Sequence, residues 1–528
     1  MTASSDSSVS RPATTGKHNA TKQHIRGSSL LLSGRFISLA VNFLVQIVTV
    51  RALAKADYGA LAYALAVVSF GSTLVVFGMD KTISRFVPIY QEHKDYDRMF
   101  GAILMMIGSV IALGVGLVVL TAMFADLINA QFVKDPHVTA LIVILISLSP
   151  LQAMDSLLGS MLTIFSGPRA VFLRRFLLNP GLKLAVVVGV WVLHGDATMM
   201  AFGYLVAGVL GIVVYAIVLW SVMHKEGLFE YFSWHTIKYP FREIFGFSVP
   251  LLTTDLVFML RTFMVVAILQ YFYSSTDVAA FRAVLPVAGL NMLVYETFTF
   301  LYMPGASRLF ARKDFAGISD LYWQSATWIA IASFPVFAVT FSLSQSLTLM
   351  LFGERYAEAG ILLAVLSLGF YVNAALGFNA FTLRVYGRVR AIVFIDILAV
   401  ISSLVMCLLL IPRYGALGAA IAASSTLILH NVLNQAGLGL TTNIAVFDWH
   451  YLRTYLSIII GSAVLLIIQA IAAPPVFVSF ALAGIVSLAL VYLNRDVLDV
   501  AQTFPELLRL PFMRHLLAQP KPPLAVEE

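Results

Sequence analysis

The stretch LLLSGRFISLAVNFLVQIVTV, residues 30 to 50, is fit for hydrocarbon yet holds an arginine, an asparagine and a glutamine. A helix rises 1.5 Å per residue, so an apolar run of roughly 20 residues crosses the ~30 Å core of a bilayer. At about 100° per residue, Arg35, Ser38, Asn42, Gln46 and Thr49 fall within an arc about 80° wide, opposite a face of Leu, Val and Ile. Such a stripe either hydrogen-bonds neighbouring helices or lines a hydrated cavity.

The rest of the chain repeats the pattern. Its 528 residues are 60% hydrophobic and only 12% charged, with a mean hydropathy of +0.89. About 14 runs reach span length, and they are too long and too unbroken for strands, so backbone groups without water imply helices. The predicted fold is an all-α polytopic membrane protein. Its expected parts are a disordered cytoplasmic tail (1–27), a first lobe of six helices (28–222), a cytoplasmic linker (223–243), a second lobe of six (244–440), two further helices (441–493) and a cytoplasmic tail (494–528). The first apolar run is of span length and lacks the short core of a cleaved signal, so it is expected to stay in the mature protein. The lone Cys407 excludes an intramolecular disulfide and a cysteine-based metal cluster.

The net charge of +7 reads as a topology signal rather than a nucleic-acid surface. Of the Lys and Arg residues outside the spans, only Arg51, Lys55, Lys134, Arg355 and Arg413 fall on the side away from the amino-terminal tail. By the positive-inside rule both termini are cytoplasmic in the cell (inner or plasma) membrane, and the basic side attracts anionic lipid headgroups.

A repeat of about 220 residues runs through the loops. KADYGAL from Lys55 parallels STDVAAF from Ser275, and RFVPIYQEHKDY from Arg85 parallels LYMPGASRLFARKDF from Leu301. SGPRAVF from Ser166 parallels YGRVRAIVF from Tyr386, and HGD at His194 parallels RYG at Arg413. A unit of six helices is even, so both copies start on the same side, as parallel repeats about an axis along the membrane normal. That arrangement predicts a cavity between two lobes.

Ionisable groups at membrane depth cost about 2.5 to 3.5 kcal/mol each on insertion scales and mark functional candidates. Here they are Arg35, Asp155, Lys183, Asp255, Arg261, Arg282, Glu296 and Asp396. Asp255 takes the repeat position of Arg35, so the two could meet across the lobes as a gate. Asp155 and Lys183 lie at similar depth on consecutive antiparallel helices, as a structural ion pair or a site. Arg282 and Glu296 are about 21 Å apart along one helix, too far to pair directly. Guanidinium groups suit phosphate oxygens, so this set favours an anionic headgroup over a cationic drug. Pro88 and Pro304 end or bend the second and eighth helices. No hydrolase, P-loop or zinc-protease motif occurs.

The stretches GSSLLLSGRFISLAVNFLVQIVTVRALAKADYGAL and GMDKTISRFVPIYQ resemble the amino-terminal signature of polysaccharide-transporter flippases in the multidrug/oligosaccharidyl-lipid/polysaccharide exporter superfamily. The resemblance spans the twelve repeat helices, about 30 to 440. It implies two six-helix lobes, alternating access and no covalent chemistry. The implied cargo is an oligosaccharide on an isoprenoid pyrophosphate, flipped to the outer leaflet for surface polysaccharide assembly. On that reading Arg35, Arg261 and Arg282 engage pyrophosphate, Asn42 and Gln46 engage sugars, and Asp255, Glu296, Asp155 and Lys183 serve gating or coupling to H⁺ or Na⁺. No cofactor, metal or nucleic acid is expected; a glycan polymerase or glycosyltransferases are expected partners. The acidic Asp255 and Glu296 depart from a purely cationic lining. The alternatives are a cation-coupled multidrug-type antiporter, which predicts an acidic cavity, and a membrane polymerase or ligase, which predicts a large outer loop.

Overall fold

A computed structural model of the chain describes residues 14–166, 172–442, 444–472 and 474–498. The described residues form helices and no strands. The first helix, Thr14–Ala52, carries the quoted span and extends back to Thr14, into the tail expected to be disordered. Residues 1–13 of that tail, and the second tail beyond Leu498, lie outside the described residues.

Among the described residues thirteen helices are long and apolar enough to cross a membrane. One of them, Val389–Thr441, has 53 residues. A straight helix of that length would measure about 80 Å, far more than the hydrocarbon core. Gly415 within it has φ 57° and ψ −131°, and a Cβ on Gly418 would lie 2.2 Å from the Leu410 carbonyl oxygen. Residues that far apart in sequence would be about 12 Å apart along an unbroken helix, so the chain reverses at PRYG, 412 to 415. The two halves of this helix, on either side of PRYG, are therefore two crossings of an antiparallel hairpin. With this hairpin the count is about 14.

Backbone conformation repeats with the sequence. Left-handed Lys94 and Lys313, each at φ near +60°, end helices with the same hydrogen bonds: Lys94 N–H to Gln91 O and Asp95 N–H to Tyr90 O, against Lys313 N–H to Phe310 O and Asp314 N–H to Leu309 O. The following aspartates then cap the next helices, Asp95 through Arg98 N–H and Asp314 through Gly317 N–H. A non-glycine residue at positive φ is uncommon, and a pair about 220 residues apart is the repeat expressed in backbone. Lys134 and Gly353, and His194 and Gly415, are further positions about 220 residues apart at which φ is positive in both copies.

Two compact units emerge from the packing. The first comprises Met1–Thr49, Gly71–Thr121 and Ile144–Thr253; the second comprises Val50–Phe70, Ala122–Val143 and Thr254–Glu528. In the first, Met79–Glu92 lies against the start of Phe241–Phe272, with Thr82 Oγ1 2.7 Å from Ser248 Oγ and Tyr90 donating to Glu243. In the second, Lys55–Val76 crosses Ser275–Gly289 so closely that a Cβ on Gly59 would lie 1.7 Å from the Ser275 carbonyl oxygen. No side chain fits there, because the obstacle is backbone.

Gly59→Val is therefore expected to lower stability by about 2 kcal/mol or more through overpacking. Gly211→Ala, where an added Cβ meets nothing within 4 Å, is the matched control and is expected to be neutral. Thermal unfolding of the two purified variants in the same detergent measures the difference.

Candidate functional site

The polar stripe of the first helix is partly self-satisfied. Asn42 Nδ2 donates to Ser38 O at 2.7 Å and lies 3.1 Å from Ser38 Oγ, and Thr49 Oγ1 donates to Val45 O at 2.7 Å. Such bonds to the preceding turn let a polar group sit in a helix without a partner elsewhere. Arg35 and Gln46 are half-buried and Asn42 is exposed, beside Phe36, Ile37 and Leu44, which are also exposed.

In the first unit Asp155 has a closer partner than Lys183. Arg174 Nη2 lies 3.1 Å from Asp155 Oδ1 and donates to the Asp155 carbonyl at 2.6 Å. Its guanidinium carbon stands 3.3 Å from the centre of the Tyr215 ring, a cation–π contact. Lys183 is near enough for its charge to interact with that of Asp155. Local structure directs Arg174 inward. Pro180 has no N–H to give, and the turn before it widens into a π-helix, Leu173–Leu178, in which Asn179 N–H reaches back to Arg174 O. Gly159 opposite makes room, since a Cβ there would lie 2.4 Å from Arg174 Nη1. Sequence reasoning passed over Arg174 because it follows so closely on a loop.

The second unit holds a charge cluster on three crossings. His430 Nε2 lies 2.8 Å from Asp396 Oδ1, so a proton is held between them, and Asn434 Nδ2 is 3.2 Å from the same nitrogen. Arg261, on Phe241–Phe272, interacts electrostatically with Asp396. The sequence placed Arg261 and Asp396 in the membrane but not together, and missed His430. The signal was present: the two runs joined at PRYG set Asp396 and His430 at equal distance along the chain from Arg413, at matching depth.

Around this cluster the crossing Ala359–Val385 is itself broken, at Leu376 and Gly377. The freed carbonyls are taken by side chains: Leu376 O by Tyr322 at 2.6 Å, Ala375 O by Tyr455 at 3.0 Å and Asn373 O by Asn431 at 2.9 Å. Asn379 donates to Asn431 Oδ1 at 2.8 Å, and Gln435 accepts from Tyr322. Asp255 and Arg282 are half-buried and Glu296 is exposed. Arg282 lies near enough to Tyr58 to interact with it.

At the loop end of the second unit two arginines cap each other's helices. Arg51 donates to Leu351 O at 2.7 Å and Met350 O at 2.6 Å, the last carbonyls of Ser344–Phe352. Arg355 donates to Val50 O at 2.8 Å and Arg51 O at 2.7 Å, the last carbonyls of Thr14–Ala52. Cations at helix carboxy-termini complement the macrodipole and satisfy orphan carbonyls. Lys55 pairs with Glu358 beside them and lies over the Tyr356 ring; burial pushes the Tyr356 phenol pKa up. Among the described residues no group of three or more His, Cys, Asp or Glu side chains could hold a metal ion.

Residues 25–303 match the family described as polysaccharide biosynthesis protein, and the chain belongs to that family. It is 23% identical over 420 residues to an uncharacterized membrane protein of Methanocaldococcus jannaschii, covering 75% of this chain and 80% of that one. It is 23% identical over 184 residues to the capsular polysaccharide biosynthesis protein CapF of Staphylococcus aureus, covering 34% of this chain and 46% of that one. Among solved structures it resembles the lipid II flippase MurJ in an inward closed conformation, with TM-score 0.68, 14% identity and coverage of 89% and 99%. It also resembles an inward-facing multidrug-resistance transporter of the MATE family, with TM-score 0.61, 12% identity and coverage of 75% and 92%. At these identities the structural likeness is one of fold. The chain is a multi-pass membrane protein with the MurJ and MATE architecture.

Removing Asp155 strands the guanidinium of Arg174, whose side chain is only 11% exposed. Asp155→Asn is expected to cost about 2 kcal/mol or more, and adding Arg174→Met should recover part of it, since the pair is coupled. Melting temperatures of the two single variants and the double variant, measured in detergent, give the coupling directly.

Proposed function

We propose that this protein is a flippase that carries an oligosaccharide on an isoprenoid pyrophosphate from the cytoplasmic to the outer leaflet, by alternating access and without covalent chemistry. The observation that carries the reading is a set of guanidinium groups, Arg35, Arg261 and Arg282, held at membrane depth in a chain of the polysaccharide biosynthesis family. Arginine stays charged at any working pH and presents a fork that fits two phosphate oxygens. Its burial cost is recovered when an anionic headgroup arrives. The MurJ likeness supports the architecture; the lipid-linked cargo is proposed from the family and the arginines.

Within this reading Arg35 faces the pyrophosphate, Asn42 and Gln46 offer amides to the sugars, and both termini are cytoplasmic. Asp255 and Glu296 couple the cycle to H⁺ or Na⁺, while Asp155 and Lys183 belong to the gating machinery. A glycan polymerase or glycosyltransferases act beside it. A multidrug-type antiporter of the same fold would bind cations, and its lining would be dominated by acid. Here Arg35, Lys183, Arg261 and Arg282 match the four intramembrane carboxylates Asp155, Asp255, Glu296 and Asp396 in number.

In proteoliposomes, Arg35→Ala is expected to abolish flipping of a lipid-linked oligosaccharide at normal protein level, and Arg35→Lys to retain part of it. Equal transport by both variants and the wild type would remove Arg35 from the phosphate site. Uptake of a cationic dye in place of the glycan lipid would favour the antiporter. An imposed pH or Na⁺ gradient should change the wild-type rate several-fold and leave Asp255→Asn or Glu296→Gln unmoved; a wild-type rate indifferent to both gradients ends the coupling role.

A further inference from the structure

Within the first unit a cavity of about 450 Å³ opens between the helices Leu148–Phe165, Asn179–Val192 and Ala197–Lys225. Its walls are Leu162, Leu177, Leu178, Leu182 and Val214, and the single charged group lining it is Arg174. Leu173 and Leu177 at its rim are 61% and 42% exposed, so the cavity communicates with the surroundings of the helices. In a bilayer those surroundings are lipid chains, and an apolar cavity offers water too few partners to fill it.

The chemistry along the cavity is graded. Arg174 and the exposed Arg175 stand at the start of their crossing, at the end expected to lie on the side of the amino-terminal tail. Gly181 and Leu182 lie about 10 Å further along the axis. Arg174 uses Nη2 on Asp155, but its Nε is buried with no hydrogen-bond partner among the described residues. A buried N–H of a cation with no acceptor is costly, and its acceptor is expected to come from a ligand. Positive charge at the leaflet surface and a hydrocarbon slot beneath it describe a receptor for an amphiphile with an anionic head.

We propose that this cavity is a lateral binding site for one isoprenoid-phosphate lipid, with a phosphate oxygen on the Arg174 guanidinium and the first isoprene units in the slot. It is distinct from the polar stripe of the first helix and would hold the carrier lipid in the leaflet on the side of the amino-terminal tail. The choice of lipid rests on the flippase reading; the existence of the site rests on the cavity and on Arg174.

Gly181 supplies a clean probe, because it lines the cavity and an added Cβ meets nothing within 4 Å. Gly181→Phe places a ring in the slot from a position where an added Cβ meets no neighbour, and a melting temperature equal to that of the wild type checks that the fold is kept. Purified full-length protein in phosphatidylcholine nanodiscs is irradiated with a photoreactive farnesyl monophosphate, and labelled peptides are mapped. Labelling is expected within residues 173–182 or 214–218, falling at least about tenfold in Gly181→Phe and severalfold in Arg174→Gln. Excess unlabelled farnesyl monophosphate should abolish it, and equal phosphatidylglycerol or inorganic phosphate should not. No label in those segments, or label unchanged in Gly181→Phe, overturns the site. Equal competition by phosphatidylglycerol overturns the isoprenoid assignment in favour of a general anionic-lipid site, and equal competition by inorganic phosphate overturns the tail slot. Label sensitive to Gly181→Phe in a protein that flips no glycan lipid would sink the flippase reading and leave the site standing.

Discussion

Backbone hydrogen bonding without water is the constraint on which the rest of this structure depends. Every break in a crossing frees carbonyls or amides that lipid cannot satisfy, and each unmet group costs several kcal/mol. The break at 376 is therefore met by side chains: Tyr322 and Tyr455 take Leu376 O and Ala375 O. At the turn between two crossings Tyr273 donates to Pro412 O at 3.2 Å. The buried tyrosines and amides of the second unit read first as backbone partners for a helix that could not otherwise stop inside the membrane. Of the amides on the same crossing as His430, Asn434 lies 3.2 Å from His430 Nε2 and is so joined, through that ring, to Asp396.

The spans were legible because their determinant is length, and length is written in the apolar runs. The repeat was legible for a related reason: the loops that interrupt the runs keep their order and spacing, and the structure repeats their left-handed residues at Lys94 and Lys313. Side-chain partnership was less legible. Asp155 and Lys183 could be paired by depth, but the direct contact belongs to Arg174, and that depends on a π-turn forced by Pro180 and a space left by Gly159. Neither is a property of one residue or one period. His430 was within reach of sequence reasoning, since a hairpin at PRYG fixes which depths face each other. The roles of Arg35, Asp255 and Glu296 are not decided by periodicity, which places a side chain on a face and says nothing of what that face meets.

The reciprocal caps of Arg51 and Arg355 illustrate how charge is used at the ends of the crossings. Each guanidinium reaches the carboxy-terminal carbonyls of a helix far away in sequence, so one pair of side chains satisfies orphan acceptors on two helices. These arginines are exposed, and water competes for the same carbonyls, so each bond contributes only about 1 kcal/mol or less.

Inside the membrane the balance is different. Asp155 faces Arg174 and Lys183, and Asp396 faces Arg261 and His430, so in each unit one carboxylate is set against two basic groups. A lone buried pair could be replaced by apolar residues with little loss of stability, so stability alone gives no reason to keep such clusters. Within each of these two clusters one basic group is left over, and an anion would complete it. On the flippase reading proposed above, a pyrophosphate headgroup is such an anion, and between visits the carboxylates hold the guanidinium groups.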